Sequence, residues 1–166
     1  MKKFFALLLC LVFVLSVCGC ATQEVEPLAY KEISFIPPNT WEVESDGTSI
    51  YCYPPSSGFM IITSTPLGIL DEEFINNENL CIAFFEGVTG GFDDVVFSDF
   101  ANDLVAGQTA ASAKYTFTYE GNEFDGTISA FIYNDTVYVS AFNAGNIYFN
   151  GSLPYYEQAL ETITIN

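Results

Sequence analysis

Carboxylates are the most abundant side chains in this sequence that could do chemistry. There are 21 Asp and Glu residues, and four of them fall close together, at Asp93, Asp94, Asp99 and Asp103. Oxygen-rich clusters suit Ca²⁺, and two carboxylates at the right separation can cleave a glycosidic bond. The spacing matches no calcium loop, and nothing singles out two of the acids as a pair. We therefore predict a solvated, self-repelling surface with no metal site.

The residue types that are absent exclude several classes of function. The chain has four Lys, no Arg and no His, and its formal charge is −17. Without His there is no conventional serine or cysteine triad and no His-ligated zinc. So acidic a protein is not expected to bind nucleic acid, which requires neutralising phosphates. We predict a protein that is not an enzyme and uses no cofactor, with an acid-based hydrolase of cell-envelope material as the alternative.

Tyrosines are the second group with chemical potential. Tyr115, Phe117 and Tyr119 alternate with threonines, which predicts a strand with one aromatic and one hydroxyl face. Buried Tyr needs a hydroxyl partner and often lies near an opening. We therefore predict Tyr115, Tyr119 and Tyr138 as ligand-binding residues. Packing between a sheet and its helices explains the same residues equally well.

The N-terminus has the pattern of a secretory signal. Lys2 and Lys3 precede an apolar run over 4–17, and Val17-Cys18-Gly19-Cys20 resembles a bacterial lipobox. We predict a lipoprotein signal peptide over 1–19, a lipid anchor at Cys20 and a tether over 20–31. Cleavage removes two Lys and no acid, so the mature chain carries −19. The expected location is the extracytoplasmic face of the bacterial cell membrane, where acyl chains hold the protein without a spanning helix.

Two cysteines remain beyond Cys20. Cys52 lies in an apolar strand pattern, and Cys81 lies on the apolar face of a predicted helix. The compartment permits a disulfide, but the sequence cannot place the two residues within bonding distance. A bridge and two buried free thiols therefore both stay open.

The remaining pattern predicts one α+β domain over 32–166. Strands at 33–36, 49–53 and 59–64 come first, and the second and third form a hairpin around the turn residues of 54–58. A helix is predicted over 71–86, and Gly87 is a plausible stop. Four further strands are predicted after the helix, at 95–100, 113–119, 127–133 and 136–142. Pro154 is predicted to open a short terminal helix, and Trp41 to close one end of the core.

One segment of the chain resembles the opening strand, Pro and Trp of the PsbP/Mog1 superfamily, which includes bacterial lipoproteins. The segment is Ile33-Ser34-Phe35-Ile36-Pro37-Pro38-Asn39-Thr40-Trp41. The order of the hairpin, central helix, later strands and Tyr-containing terminal helix agrees over about residues 32–165. The resemblance implies an α/β/α sandwich around a central antiparallel sheet flanked by helices. It also implies binding or assembly roles more often than catalysis, although fold alone transfers no role.

These observations lead to one functional prediction. We expect a membrane-anchored extracytoplasmic lipoprotein that acts as a non-catalytic module and binds an envelope protein or a small ligand. The sequence does not indicate which ligand or partner it binds.

Overall fold

A seven-stranded antiparallel sheet forms the middle layer of the protein, and the computed structural model describes residues 25–68 and 72–166. Its strands in chain order are β3 (Glu42–Ser45), β4 (Ser49–Tyr53), β5 (Phe59–Pro66), β6 (Asp93–Val105), β7 (Gln108–Tyr119), β8 (Asn122–Tyr133) and β9 (Thr136–Gly145). Their order across the sheet is β3-β4-β5-β9-β8-β7-β6. Every neighbouring pair is antiparallel, as short connections favour.

Helices cover both faces of this sheet. A 3₁₀ helix (Glu72–Asn76) and helix α1 (Glu78–Val88) lie on one face, and helix α2 (Asn146–Glu161) lies on the other. A small antiparallel sheet joins the α2 side and consists of β1 (Leu28–Tyr30), β2 (Ile33–Phe35) and β10 (Thr164–Ile165). The predicted α+β class and the α/β/α sandwich are confirmed.

The two faces carry separate hydrophobic cores because side chains alternate along each strand. On the α2 side, Trp41 lies 7% exposed with its ring centroid 5.5 Å from that of Phe142. On the α1 side, Phe74 and Phe85 pack over Ile128 and its neighbours. The prediction that Trp41 is buried in the core is confirmed.

The prediction of one continuous helix over 71–86 is wrong. The described part of this segment is a 3₁₀ turn followed by a separate helix, α1, which begins at Glu78. Its N-cap is Asn77, whose side chain accepts a hydrogen bond from the Leu80 N–H at 3.2 Å. Asn is a strong N-cap because its side-chain oxygen satisfies one of the unpaired N–H groups of the first turn. Gly87 does not end the helix, which continues to Val88.

Helix α2 begins eight residues earlier than Pro154, where the sequence pattern predicted the start. Phe149, Ser152, Tyr156 and Ala159 are all buried, so the inward stripe extends over the whole helix. Pro154 lies inside it and removes one intrahelical donor. Burial of the earlier stripe stabilises the turns that precede the proline.

The described part of the predicted tether over 20–31 includes folded structure. Leu28–Tyr30 pairs with Ile33–Phe35 as β1 against β2, and the Tyr30 hydroxyl donates to the Thr48 carbonyl. The predicted signal peptide 1–19 and the predicted lipidation residue Cys20 lie outside the described residues. No helix of the described ranges is long and apolar enough to cross a membrane.

Candidate functional site

Three of the four predicted acids on β6 pair individually with side chains of β7. Asp99 pairs with Lys114 at 2.8 Å, Asp94 accepts from the Thr118 hydroxyl at 3.2 Å, and Asp103 accepts from the Ser112 hydroxyl at 3.2 Å. Each of these acids thus has its own partner on β7. Within residues 25–68 and 72–166, no group of three or more metal-binding side chains converges.

The structure does not bring the three predicted ligand-binding tyrosines together. Tyr115 is buried on the α1 face, where burial raises its pKa to about 12 against the opposing effect of a hydrogen bond with Asn143. Tyr138 is buried on the α2 face, and its ring stacks on Phe131 at 5.3 Å. Tyr119 is 49% exposed at the end of β7. None of the three lines the cleft or the groove described below.

Cys52 and Cys81 are free thiols on opposite faces of the sheet. Burial raises the pKa of Cys52 to about 12 and that of Cys81 to about 11. The Cys81 thiol also donates to the Phe74 carbonyl at 2.9 Å. Neither thiol has the lowered pKa or the exposure that a nucleophile needs. Because the two cysteines are unbridged and lie on opposite faces of the sheet, the alternative that the sequence left open resolves to two free thiols.

A cleft forms where three distant segments of the chain meet, and we call it the N-terminal cleft. Its walls come from Val25–Pro27, from the loop that follows β2 and from the second half of α2. It has a volume of about 560 Å³, within the range of ligand-binding pockets. The residues of the loop and the helix that line it are Ile36, Pro37, Pro38, Asn39, Tyr155, Gln158, Ala159 and Thr162.

Hydrogen bonds fix the loop wall of the N-terminal cleft onto α2. The Thr162 hydroxyl accepts from the Ile36 N–H at 2.8 Å and donates to the Ala159 carbonyl at 2.7 Å. Pro37 and Pro38 restrict the backbone of the same loop, and the Pro38 carbonyl accepts from the Trp41 N–H at 3.0 Å. The wall is therefore preorganised.

The chemistry of the N-terminal cleft suits binding and not proton transfer. Its lining is mainly apolar, and Glu26 is the single ionisable carboxylate among the lining residues. A hydrolytic site of the glycosidase type would need two. Ile36 and Tyr155, which are 37% and 52% exposed, extend the apolar surface beyond the rim. The cleft therefore offers a preformed apolar surface without an acid–base pair.

A second groove of about 590 Å³ lies between α1 and β6 and holds more carboxylates. Glu78 and Glu86 lie eight residues apart on α1, a rise of about 12 Å. That exceeds the roughly 5–9.5 Å between the two carboxyl groups of glycosidases. Asp99, which also lines the groove, is paired with Lys114. The helix geometry therefore gives no carboxylate pair from α1, and the alternative of an acid-based hydrolase gains no support here.

The N-terminal cleft has no direct signal in the sequence. The two prolines at 37–38 marked the end of a strand, and Tyr155 appeared only among many tyrosines that packing could explain. The three walls are separated by up to about 130 positions in the chain. Their meeting depends on how β2, β10 and α2 associate.

Comparison with solved structures shows a PsbP/Mog1-like fold. The chain aligns with cyanobacterial PsbP (CyanoP) from Synechocystis sp. PCC 6803 at TM-score 0.65 and 8% identity, covering 89% of this chain and 96% of that one. It aligns with LpqN, involved in cell envelope biogenesis of Mycobacterium tuberculosis, at TM-score 0.60 and 14% identity, covering 85% and 90%. No family model and no curated protein sequence matches the chain.

The fold also extends to a eukaryotic protein. The Saccharomyces cerevisiae Ran-binding protein Mog1p aligns at TM-score 0.61 and 7% identity, covering 84% of this chain and 94% of that one. The chain therefore has a PsbP/Mog1-like fold over nearly its whole described length. Identities this low establish the architecture alone.

Proposed function

We propose that this protein is a membrane-anchored extracytoplasmic binding module without catalytic activity, and that the N-terminal cleft binds an apolar segment of a cell-envelope protein. The observation that carries the proposal is the cleft itself, because it is preformed, apolar and free of a carboxylate pair. The solved structures with this fold include a Ran-binding protein and a protein of cell envelope biogenesis, which supports a binding role.

The cleft favours a protein segment over an enclosed small ligand. Ile36 and Tyr155 stand half-exposed at its rim, so the apolar surface continues outward. Exposed apolar surface next to a groove is typical of protein interaction sites. A partner segment that fills the cleft would also cover these two side chains.

The proposed anchor places this cleft close to the membrane. Val25 lines the cleft and follows Cys20 by five residues, which span at most about 18 Å when fully extended. The charge of −19 on the mature chain keeps the domain from adsorbing to anionic lipids, so the lipid must hold it there. A partner that uses the cleft would therefore lie in or near the membrane.

The test is co-isolation from detergent-solubilised membranes with a matched set of variants. Tyr155→Glu places a charge in the cleft, and Tyr119→Glu places one at a similarly exposed tyrosine at the end of β7 that does not line the cleft. A partner recovered with wild type and Tyr119→Glu, but at least about tenfold less with Tyr155→Glu, supports the proposal. Equal recovery with both variants, or turnover of an envelope substrate by the purified protein, would contradict it.

A further inference from the structure

Three aromatic rings form a triangle on the part of the sheet that α1 leaves open. Tyr51 and Tyr53 lie on the same face of β4, and Phe59 lies beside them on β5. The ring centroids are 6.4 Å apart for Tyr51–Tyr53, 6.3 Å for Tyr51–Phe59 and 6.4 Å for Tyr53–Phe59. All three side chains are partly exposed.

The dimensions of this triangle suit a cation. For sides of this length, the centre of the triangle is about 3.7 Å from each ring centroid. A group about 3 Å above that centre is therefore within the roughly 6 Å distance limit of a cation–π contact for every ring. The planes of the Tyr51 and Tyr53 rings are 12° from parallel, and the Phe59 plane is tilted by 58° and 53° to them. Groups of aromatic rings are used by proteins to hold ammonium groups.

Two carboxylates border the same triangle. In the register of β3 against β4, Glu42 lies opposite Tyr53 and Glu44 lies opposite Tyr51. Residues directly opposite each other in an antiparallel pair have Cβ atoms about 4.5–5.5 Å apart and point to the same face. Both acids are exposed. We call the set Glu42, Glu44, Tyr51, Tyr53 and Phe59 the aromatic–acidic face.

No cation of the described chain occupies this face. The Lys31 ammonium donates to the Ser64 hydroxyl and lies 5.8 Å from the centroid of the Tyr30 ring, and Lys114 pairs with Asp99. These are the two lysines of residues 25–68 and 72–166. A cation on the aromatic–acidic face must therefore come from another molecule.

We propose that the aromatic–acidic face binds an Arg- or Lys-bearing segment of a partner protein. Charge complementarity is the basis, since two carboxylates flank the rings and the mature chain carries −19. A protein segment fits better than a free ammonium compound, because the rings lie on an open sheet face and line neither the N-terminal cleft nor the groove between α1 and β6. Enclosed pockets are what small ligands normally use.

The position of β3 supports an extended partner. β3 is an edge strand of the seven-stranded sheet, and Glu42 and Glu44 repel a second copy of the same strand. A basic segment lying along that edge would instead place opposite charges across from the two acids. This surface shares no residue with the N-terminal cleft, so either proposal can fail without the other.

The test measures binding of a fluorescent peptide with alternating Gly and Arg to the lipidated chain in non-ionic detergent at about 150 mM NaCl. Salt at this level screens long-range attraction. Tyr51→Leu with Tyr53→Leu removes two rings and no charge, so we expect the peptide Kd to rise about tenfold. Tyr53→Phe keeps the ring and should bind like wild type, and Tyr119→Leu, a control outside the face, should stay within about twofold.

Two further measurements test whether the positive charge of Arg is recognised and whether a free ammonium compound binds in place of a protein segment. A peptide with citrulline in place of Arg should bind at least about tenfold more weakly, and choline chloride should not displace the peptide at concentrations near the peptide Kd. If the double Leu variant does not fold, nuclear magnetic resonance of the wild type replaces it, with ring signals of Tyr51, Tyr53 and Phe59 shifting on titration. Unchanged affinity of a folded double Leu variant, equal binding of the citrulline peptide, displacement by choline or unmoved ring signals would each overturn the proposal.

Discussion

Tyr115 lies across Gly126 of the neighbouring strand, and its ring occupies the space that a side chain at position 126 would need. The ring can lie flat on the sheet because Gly126 has no Cβ, and it reaches towards Asn143 on the next strand. This contact places the tyrosine within the core on the α1 face. A tyrosine that the sequence pattern allowed as a ligand-binding residue is thus a packing residue in the structure.

Gly126→Ala is therefore expected to destabilise the protein. The new methyl group must displace the Tyr115 ring, and overpacking of this kind costs about 1–3 kcal/mol in the free energy of unfolding. Urea denaturation measures the effect. Gly87→Ala is the control, since a methyl group at this position of α1 would meet no atom within 4 Å, and it should stabilise by about 0.5–1 kcal/mol. Wild-type stability of Gly126→Ala would contradict the described packing.

Trp41→Ala is expected to remove about 3–5 kcal/mol from the free energy of unfolding, because it leaves a cavity beside Phe142. Tyr148→Ala, at an exposed aromatic position of α2, should change it by no more than about 0.5 kcal/mol. Trp41 is the single tryptophan, so its fluorescence reports on this site alone. Native emission typical of fully hydrated indole would contradict its burial.

The buried thiols predict a loss of stability at alkaline pH. Burial raises the pKa of Cys81 to about 11 and that of Cys52 to about 12, whereas an unfolded thiol has a pKa near 9. Below pH 9 the folded and unfolded states both keep the thiol protons, so the contribution of the two thiols to the free energy of unfolding is constant. Above pH 9 the unfolded state releases protons first, and the free energy of unfolding falls by at most about 1.4 kcal/mol per pH unit for each thiol.

Urea denaturation at about pH 8, 9.5 and 11 measures this slope. The double variant Cys52→Ala with Cys81→Ala should show a smaller fall than wild type over the same interval, because the ionisable groups are gone. Identical slopes for both proteins would mean that the thiols do not titrate differently in the folded and unfolded states.

The lipobox predicts that Cys20→Ala releases the protein from membranes or leaves its signal uncleaved. Cys18→Ala is the matched control, since residue 18 leaves with the signal when cleavage precedes Cys20. That variant should stay membrane-bound. Intact-mass analysis of the wild type checks the anchor directly, and an unmodified mature N-terminus would rule out lipidation at Cys20.

The sequence predicted those parts of the fold that depend on local chemistry. The hairpin of β4 and β5 followed from the turn residues at 54–58. The strands predicted at 127–133 and 136–142 left only Asn134-Asp135 between them, and both residues have positive φ as type I′ turns require. The break before α1 was missed because it depends on one capping side chain, that of Asn77. The true start of α2 was missed because burial against the sheet overrides the signal of Pro154.

Binding surfaces were harder to predict than elements. The N-terminal cleft combines residues 25–27, 36–39 and 155–162, and no local pattern links these three segments. The aromatic–acidic face depends on the register of β3, β4 and β5, which sets Glu44 opposite Tyr51. A shift of that register by one residue would turn the rings to the other face.

The most direct test of the central claim is crosslinking in living cells. A benzophenone amino acid replaces Tyr155 at the cleft or Tyr119 on β7, two tyrosines of nearly equal exposure at 52% and 49%. The proposed function predicts one discrete adduct with an envelope protein from position 155, none from position 119, and loss of the adduct when Ile36→Glu is added. No adduct at position 155, or the same adduct from both positions, would contradict binding at the N-terminal cleft.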